Sequence, residues 1–164
     1  MKLPKRKSIR LKDYDYSQNG AYFVTICIHN KECILGNVIV GEGFHALPHI
    51  KLSTIGKEIE KSIRYTNEKY DCIDKYIIMP NHIHMIIMFH EADRRGTLSL
   101  QDIIGRLKSF TTMKFNEINR TKDYKLWQRS YHDHIIRNEQ EYQKIWEYID
   151  TNPLKWELDK YHPL

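Results

Sequence analysis

Two apolar runs separated by only two residues constrain the fold of this chain more than any other feature. Ile73–Met79 and His82–Phe89 are rich in β-branched and large apolar residues, and Pro80-Asn81 lies between them. Runs of this composition and length predict strands. Because two residues cannot hold the helix of a parallel crossover, the strands should pair as an antiparallel hairpin.

The rest of the chain predicts further strands and three helices. Strands are expected at 22–28 and 34–40, and a short strand or extended segment is expected over 127–137. Helices are expected after Ser53, after the capping box that begins at Ser99, and over 139–152. Phe44–Lys51, which contains Pro48, is predicted to be a loop, and Pro153 should end the last helix nearby. This order of elements favours an α+β protein, in which helices cover a mostly antiparallel sheet.

Length and composition limit the class of protein. The 164 residues suit one domain over 1–164. No run is apolar enough for a membrane span and the N-terminus lacks a signal-peptide core, so we expect a cytoplasmic protein that does not use a membrane. Three cysteines without a CxxC pair argue against a disulfide framework or a thiolate zinc site.

Positive charge is concentrated near the N-terminus. The chain has a net charge of +5, and no acidic residue precedes Asp13. A basic arm over about 1–15 contains Lys5, Arg6, Lys7 and Arg10. Such an arm can neutralise the phosphates of a nucleic acid, although a solvated, disordered tail has the same composition. The helix after Ser99 adds Arg106, Lys108 and Lys114, which could line a DNA groove.

The spacing of His82 and His84 indicates a candidate metal site. Alternate residues of a strand point to the same face, so both imidazoles should project together at the start of the second hairpin strand. Two neutral imidazoles form most of a metal site. Two half-exposed histidines with hydrogen-bond partners would give the same pattern, and a metal would need a third ligand from elsewhere.

The last predicted helix carries a polar stripe. Lys144, Tyr148 and Asn152 follow one another at intervals of four residues, whereas Ile145 and Ile149 should face the core. From spacing alone, a solvated helix surface explains this stripe better than a functional site does.

Several motifs in this chain together resemble one family. Pro80-Asn81-His82-Ile83-His84 resembles the HUH motif (His, bulky hydrophobe, His) of single-tyrosine transposases. The segments 133–138 (DHIIRN) and 148–153 (YIDTNP) resemble the C-terminal signature of one branch, the REP-associated tyrosine transposases. The resemblance extends from about Tyr22 to Trp156, and the ordered set of motifs is more specific than the two histidines alone.

The resemblance implies a fold and a chemistry. The fold would be an antiparallel sheet with a ferredoxin-like core flanked by helices. The activity would be metal-dependent cleavage and rejoining of single-stranded DNA near hairpins through a 5′-phosphotyrosine. Carried over by position, Tyr148 would be the nucleophile, and His82, His84 and Asn152 would hold Mg²⁺ or Mn²⁺. The partner would be single-stranded or hairpin DNA, with Lys144 as a candidate phosphate contact.

Several alternatives remain open at this stage. A zinc site could instead combine His82, His84 and His134, although a structural role for His134 is favoured. Trp127, Tyr131 and Trp156 could stack on unpaired bases, although large aromatic side chains are more often in the core. The protein could also be a non-catalytic binder of structured single-stranded DNA or RNA, or a hydrolase with water as its nucleophile. The sequence does not decide between a monomer and a homodimer.

Overall fold

A four-stranded antiparallel sheet forms the centre of the molecule. The computed structural model describes residues 20–41, 47–90 and 98–163. Its strands are β1 (Gly20–Cys27), β2 (Gly36–Val40), β3 (Pro48–Leu52), β4 (Ile73–Ile78), β5 (His82–Phe89) and β6 (His132–Ile136). The central sheet has the order β4-β5-β1-β6, and β2 and β3 form a separate two-stranded sheet.

Three helices cover the central sheet, and their order along the chain defines the topology. They are α1 (Thr54–Tyr70), α2 (Leu100–Asn119) and α3 (Glu139–Thr151). With β2 and β3 set aside, the elements β1, α1, β4, β5, α2 and β6 follow the βαββαβ order of a ferredoxin-like fold. The expected α+β class and ferredoxin-like core are therefore confirmed, and α3 is added after this core.

The predicted hairpin is present. β4 and β5 pair as antiparallel neighbours, with Ile78 opposite Ile83 and Ile77 opposite His84. β5 also pairs with β1, which places Thr25 opposite His84. Because β5 is hydrogen-bonded on both sides, the backbone of the two histidines is fixed by two neighbouring strands.

The two faces of the sheet are covered by different helices. The larger hydrophobic core lies between the sheet and α1 and α2, and from β5 it includes Ile83, Met85 and Ile87. On the opposite face, a smaller cluster joins Ile86, Ile136 and Ile149 and includes Tyr142, Ile145 and Tyr148 of α3. The predicted buried side of the last helix is thus confirmed.

Both expected helix caps are present. The hydroxyl of Ser53 accepts a hydrogen bond from the Gly56 amide at the start of α1. Ser99 and Asp102 form a reciprocal capping box at the start of α2, with Asp in the position that Glu more often takes. These local contacts fix where each helix begins, so the sequence alone located both starts.

One predicted loop was wrong, and two other predicted segments are confirmed with narrower bounds. The segment Phe44–Lys51, which we expected to be a loop, contains most of β3. Proline is tolerated there because Pro48 is the first residue of a strand in a two-stranded sheet, where its missing N–H breaks no hydrogen bond inside the sheet. Within 127–137 only β6 is a strand, and Trp127 contributes a single bridge to Ile28. α3 ends at Thr151, as predicted from Pro153, and a 3-10 helix follows over Asn152–Leu158 with Pro153 in its first turn.

Two further expectations concern the ends of the chain and the membrane. The basic arm with Lys5, Arg6, Lys7 and Arg10 lies outside the described residues. Among the helices that the structure describes, none has the length and apolar character needed to cross a bilayer.

Candidate active site

His82 and His84 lie side by side at the start of β5, on the face covered by α3. Nε2 of His82 is 3.0 Å from Nε2 of His84. His82 is 0% exposed and His84 is 1% exposed, so neither imidazole exchanges hydrogen bonds with bulk water in this conformation. The strand alternation expected from the sequence therefore brings both ring nitrogens to one point.

The tautomer of His82 follows from its neighbour Asn81. Both protons of the Asn81 amide are used, because Nδ2 donates to the carbonyl oxygens of Lys31 and Tyr161. Its Oδ1 lies 2.8 Å from Nδ1 of His82 and must therefore accept from that nitrogen. The lone pair of His82 is left on Nε2, the atom that faces His84, and an imidazole oriented in this way is typical of a metal ligand.

His84 is held by the neighbouring strand β1. The hydroxyl of Thr25 is 2.8 Å from Nδ1 of His84, and the ring of Phe23 stacks on the imidazole at 5.1 Å between centroids. Thr25 and Phe23 point to the same face of β1 because they are two residues apart. Nε2 of His84 is thus directed toward His82 and α3.

Burial keeps both imidazoles neutral at physiological pH. It lowers the pKa of His82 from 6.5 to about 4, against a smaller upward effect of the Asp159 carboxylate. Burial also lowers the pKa of His84 well below its usual value, and the neighbouring His82 adds to this effect. Neutral imidazole is the form that binds metals, so the site does not need to lose protons before it takes up a cation.

Helix α3 is fixed against the sheet by polar contacts with β4. Lys75 forms an ion pair with Asp150 at 2.8 Å, and its Nζ lies 3.3 Å from the centroid of the Trp146 ring. The hydroxyl of Tyr142 donates to Asp74 at 2.6 Å. Together with the packing of Ile149, these contacts set the rotation of α3 and thereby direct Tyr148 to the histidine pair.

Tyr148 contacts the histidine pair directly. Its hydroxyl oxygen is 3.3 Å from Nε2 of His84, and its ring packs edge-on against Phe23. Burial raises the pKa of Tyr148 to about 12 and the carboxylate of Asp159 adds to the rise, whereas the amide of Asn152 opposes it. The resting side chain is therefore a neutral phenol.

Asn152 is buried one turn after Tyr148 and has one unsatisfied polar atom. It is 1% exposed, and its Nδ2 donates to Asp159 at 3.2 Å. Its Oδ1 is buried without a hydrogen-bond partner among the described residues. Burying an amide oxygen costs free energy unless a hydrogen-bond donor or a cation binds it, so this oxygen fits the role of a cation ligand.

The arrangement fits a divalent cation. Nε2 of His82 and Nε2 of His84 face each other from alternate positions of β5, so both could contact one ion. The observed separation of the two Nε2 atoms is 3.0 Å. With the neutral imidazoles and the unsatisfied oxygen of Asn152, the donor set of this site suits such an ion, although imidazole alone does not select the metal.

The segment after α3 covers the histidine pair. The ring of Tyr161 lies 4.6 Å from the His82 ring between centroids, and Trp156 lies 6.1 Å from it. A carboxylate oxygen of Asp159 lies within 4.8 Å of both ligand nitrogens. Asp159 and Tyr161 carry no periodic or motif signal in the sequence, and they reach the site because the chain turns back over the sheet after the 3-10 helix.

Comparison with known proteins assigns the family. The family model described as "Transposase IS200 like" matches residues 49–152. This span is more than half of the 164 residues and includes both histidines and Tyr148. The chain belongs to the IS200-like transposase family. The family expected from the HUH motif and the C-terminal signature is thereby confirmed.

Two Haemophilus influenzae proteins are similar to this family member in sequence. An uncharacterised protein is 34% identical over 177 aligned positions, which cover 94% of this chain and 92% of the relative. A second protein, whose name assigns it provisionally to the REP-associated tyrosine transposases, is 22% identical. That match covers 86% of this chain and 74% of the second protein.

Two solved structures share the fold. The structure of a REP-associated tyrosine transposase bound to a REP hairpin has a TM-score of 0.56 and 18% identity, over 89% of this chain and 73% of that one. A protein from Deinococcus radiodurans R1, described provisionally as a transposase, has a TM-score of 0.51 and 13% identity, over 87% and 95% of the two chains. At sequence identities of 18% and 13%, these structural similarities show that the three chains share a fold.

The basic residues expected to contact DNA do not all lie near the site. Arg106, Lys108 and Lys114 belong to α2, across the sheet from the histidine pair. Arg106 donates to the Tyr70 hydroxyl, Lys108 donates to the carbonyl oxygens of residues 128 and 129, and Lys114 pairs with Glu117. Lys144 is exposed on α3, one turn before Tyr148.

The remaining candidates have structural partners. Trp127 is buried, and its indole nitrogen donates to Thr111, while Tyr131 is buried in the same core. Neither is placed to stack on bases, whereas Trp156 borders the site. His134 lies 2.6 Å from Glu141 at the start of α3. The converging ligand group among the described residues does not include His134, so the alternative zinc set is wrong.

Proposed function

We propose that this IS200-like transposase is a single-tyrosine HUH endonuclease and strand transferase. It binds single-stranded DNA near hairpins, cleaves it and rejoins it through a 5′-phosphotyrosine on Tyr148. The observation that carries the proposal is the 3.3 Å separation between the Tyr148 hydroxyl and Nε2 of His84, which joins the phenol and the candidate metal ligands in one site.

The proposed roles follow from the chemistry of each group. His82, His84 and the Oδ1 of Asn152 would hold a divalent cation, which we propose to be Mg²⁺ or Mn²⁺. When bound, such an ion polarises a phosphoryl oxygen and offsets the charge that develops during displacement. Asn81 and Thr25 keep the two imidazoles oriented through their Nδ1 atoms.

The nucleophilic step takes place at the hydroxyl of Tyr148. Its oxygen forms a bond to the scissile phosphorus, the bond to the 3′ oxygen breaks, and the leaving oxygen takes up a proton to give a free 3′-OH. The phenol releases its own proton to solvent water as the new bond forms, because a pKa of about 12 leaves little phenolate at neutral pH, and water returns a proton to the leaving oxygen. Since the phosphodiester energy is kept in the tyrosine link, the 3′-OH can reverse the step without a nucleotide cofactor.

Access to the site requires movement of the side chains that cover it. His82 and His84 are 0% and 1% exposed beneath Tyr161 and Trp156, so a phosphate cannot contact their nitrogens in this conformation. We propose that the side chains of Tyr161 and Trp156 move away from the histidines when DNA binds. Lys144, exposed one turn before Tyr148, is placed to contact an adjacent phosphate, and the basic arm over 1–15 is proposed to add further contacts.

A covalent-trapping experiment tests the proposal. The protein is incubated with end-labelled single-stranded DNA that carries a hairpin, with Mn²⁺ or Mg²⁺, and the products are separated under denaturing conditions. We expect a protein–DNA adduct that disappears in Tyr148→Phe. Tyr142→Phe is the matched control, since Tyr142 is on the same helix but its hydroxyl bonds Asp74 outside the site. An adduct that persists in Tyr148→Phe contradicts the nucleophile assignment.

The same experiment distinguishes two other functions. A non-catalytic binder of structured DNA or RNA would retain the hairpin in the presence of a chelator and would give no adduct with any metal. The observation that favours a non-catalytic binder is the burial of both histidines. A hydrolase that uses water would cleave the strand without an adduct and would tolerate Tyr148→Phe.

A further inference from the structure

Asp159 lies in the candidate metal site, although it follows the family motifs by several residues. It comes directly after the 3-10 helix Asn152–Leu158, where the chain turns back toward β5. Three ligand atoms lie within 4.8 Å of one another: one carboxylate oxygen of Asp159 and one ring nitrogen from each of His82 and His84. Among the described residues, this is the one group of three histidine, cysteine or acidic ligands that converges in this way.

The carboxylate of Asp159 is held in place by two hydrogen bonds. Its Oδ1 accepts from the backbone amide of Tyr161 at 2.7 Å, and its Oδ2 accepts from Nδ2 of Asn152 at 3.2 Å. The second bond ties Asp159 to the side chain whose Oδ1 is buried without a partner. Each carboxylate oxygen retains lone pairs beyond these bonds, so the group can still bind a cation.

The charge of Asp159 is not balanced by a cationic side chain. No ion pair of Asp159 is found within the parts of the chain that the structure covers. The carboxylate is half-buried beside the buried rings of His82 and His84. A partly buried carboxylate without a counter-ion is costly, and a divalent cation between it and the histidines would remove that cost.

We propose that Asp159 is a further protein ligand of the divalent cation, together with His82, His84 and the Oδ1 of Asn152. The inference rests on the proposed metal-dependent function and adds a charged ligand that the HUH motif does not contain. Two imidazoles and two oxygens leave open positions in an octahedral shell for phosphate or water. The carboxylate also shifts the donor set toward Mg²⁺ or Mn²⁺, because these ions prefer oxygen.

This assignment also predicts what the ion does to the covering segment. Because Asp159 lies between Trp156 and Tyr161, a cation bound to it would fasten that turn to β5. The backbone amide of Tyr161, which donates to Asp159, should then exchange more slowly with solvent when the ion is bound. The test needs no DNA and no activity.

The binding experiment is a Mn²⁺ titration of the full-length protein without DNA, followed by the EPR signal of the free ion. We expect one bound ion in the native chain and at least about tenfold weaker binding in Asp159→Asn. This variant keeps one oxygen that can accept from the Tyr161 amide, while its NH2 group replaces the oxygen that accepts from Asn152, so it removes the charge and one hydrogen bond. Glu157→Gln, an exposed acidic residue of the same segment, is the matched control and should bind Mn²⁺ as the native chain does.

Hydrogen exchange provides a second measurement that needs no variant. Protection of the Tyr161 amide should rise at least about tenfold when Mn²⁺ saturates the native protein. The proposal is overturned if Asp159→Asn binds Mn²⁺ as tightly as the native chain, or if Mn²⁺ leaves the exchange of Tyr161 unchanged. Tyr148→Phe should bind Mn²⁺ normally, so a missing adduct and a missing Asp159 ligand are separate results.

Discussion

The two faces of the central sheet use alternate residues of the same strands for different purposes. In β5, Ile83, Met85 and Ile87 enter the large core beneath α1 and α2. His82 and His84 alternate with them and enter the site beneath α3, where, among the residues that the structure describes, the neighbouring apolar cluster has Ile86, Ile136 and Ile149 as its buried members.

This difference indicates how the fold separates stability from chemistry. The face with α1 and α2 buries aliphatic side chains, and each such burial favours folding. The face with α3 buries two imidazoles, an amide and a phenol, which lose hydration on folding. Substitutions on the first face should therefore change stability, and substitutions on the second should change chemistry, in the order of effect given below.

The largest expected effect is on the site face. His84→Gln should lower the rate of adduct formation at least about a thousandfold, because stabilisation by a metal ion is worth several kcal/mol in the transition state. Rates are measured by covalent trapping and divided by the folded fraction from circular dichroism. His134→Gln, on the edge strand and bonded to Glu141, should retain the adduct. Equal losses in both variants would remove the distinction between the two histidines.

The next effect compares neighbouring residues of β5 that face opposite sides. Ile86 and Ile87 are both 0% exposed. Ile87→Ala should cost about 2–5 kcal/mol in the free energy of unfolding, which urea denaturation measures, with little change in adduct rate per folded molecule. Ile86→Ala should cost a similar or smaller free energy and also lower the adduct rate, because Ile86 packs in the cluster that seats α3. The comparison fails if Ile87→Ala has the larger effect on rate.

The third prediction concerns pH and the metal-free protein. Because burial lowers the pKa of His82 from 6.5 to about 4, the unfolded chain binds a proton between these pH values that the folded chain does not. The contribution of His82 to the free energy of unfolding should therefore be fully present above about pH 6.5. It should be lost as the pH drops toward 4, which lowers the free energy of unfolding by about 3 kcal/mol. His84 acts in the same direction.

Urea denaturation at pH 7 and pH 4.5, with a chelator present, measures this loss. Carboxylates contribute to the pH slope as well, so the comparison is made with His82→Gln, in which the part due to His82 is absent. An unchanged slope in His82→Gln would contradict the assignment of a buried, neutral imidazole to the folded state.

The smallest effect compares the caps of two helices. Ser99→Ala removes the capping box of α2 on the stability face, and Asn138→Ala removes the side chain that accepts from the Glu141 amide at the start of α3. Each should cost about 1 kcal/mol in the free energy of unfolding. We expect Asn138→Ala alone to lower the adduct rate, since it loosens the helix that carries Tyr148. Thermal unfolding and covalent trapping test the pair.

Local sequence signals predicted much of the fold. The hairpin followed from a connection of two residues, both helix starts followed from Ser53 and Ser99, and the buried side of α3 followed from the spacing of Ile145 and Ile149. The strand at Pro48–Leu52 was missed because its pairing with β2 is a tertiary contact, and proline is more often found in loops.

The site was predictable only in part. Strand alternation placed His82 and His84 together, and helical spacing placed Tyr148 and Asn152 on one face, because both patterns depend on local backbone geometry. The approach of the two pairs depends on how α3 is seated by Lys75 and Asp74 of β4, which are distant from it in the chain. Asp159 and Tyr161 carried no signal at all, since only the path of the last turn brings them to the histidines.

The sequence by itself therefore determined most of the elements, the family and the candidate residues His82, His84, Tyr148 and Asn152, because these depend on local propensity, periodicity and motif. Only the tertiary structure decided that α2 and its cations lie across the sheet from the site, and that the turn after the 3-10 helix covers the histidines. The reason is physical: which face a helix covers, and where a terminal segment returns, are set by packing between residues far apart in the chain.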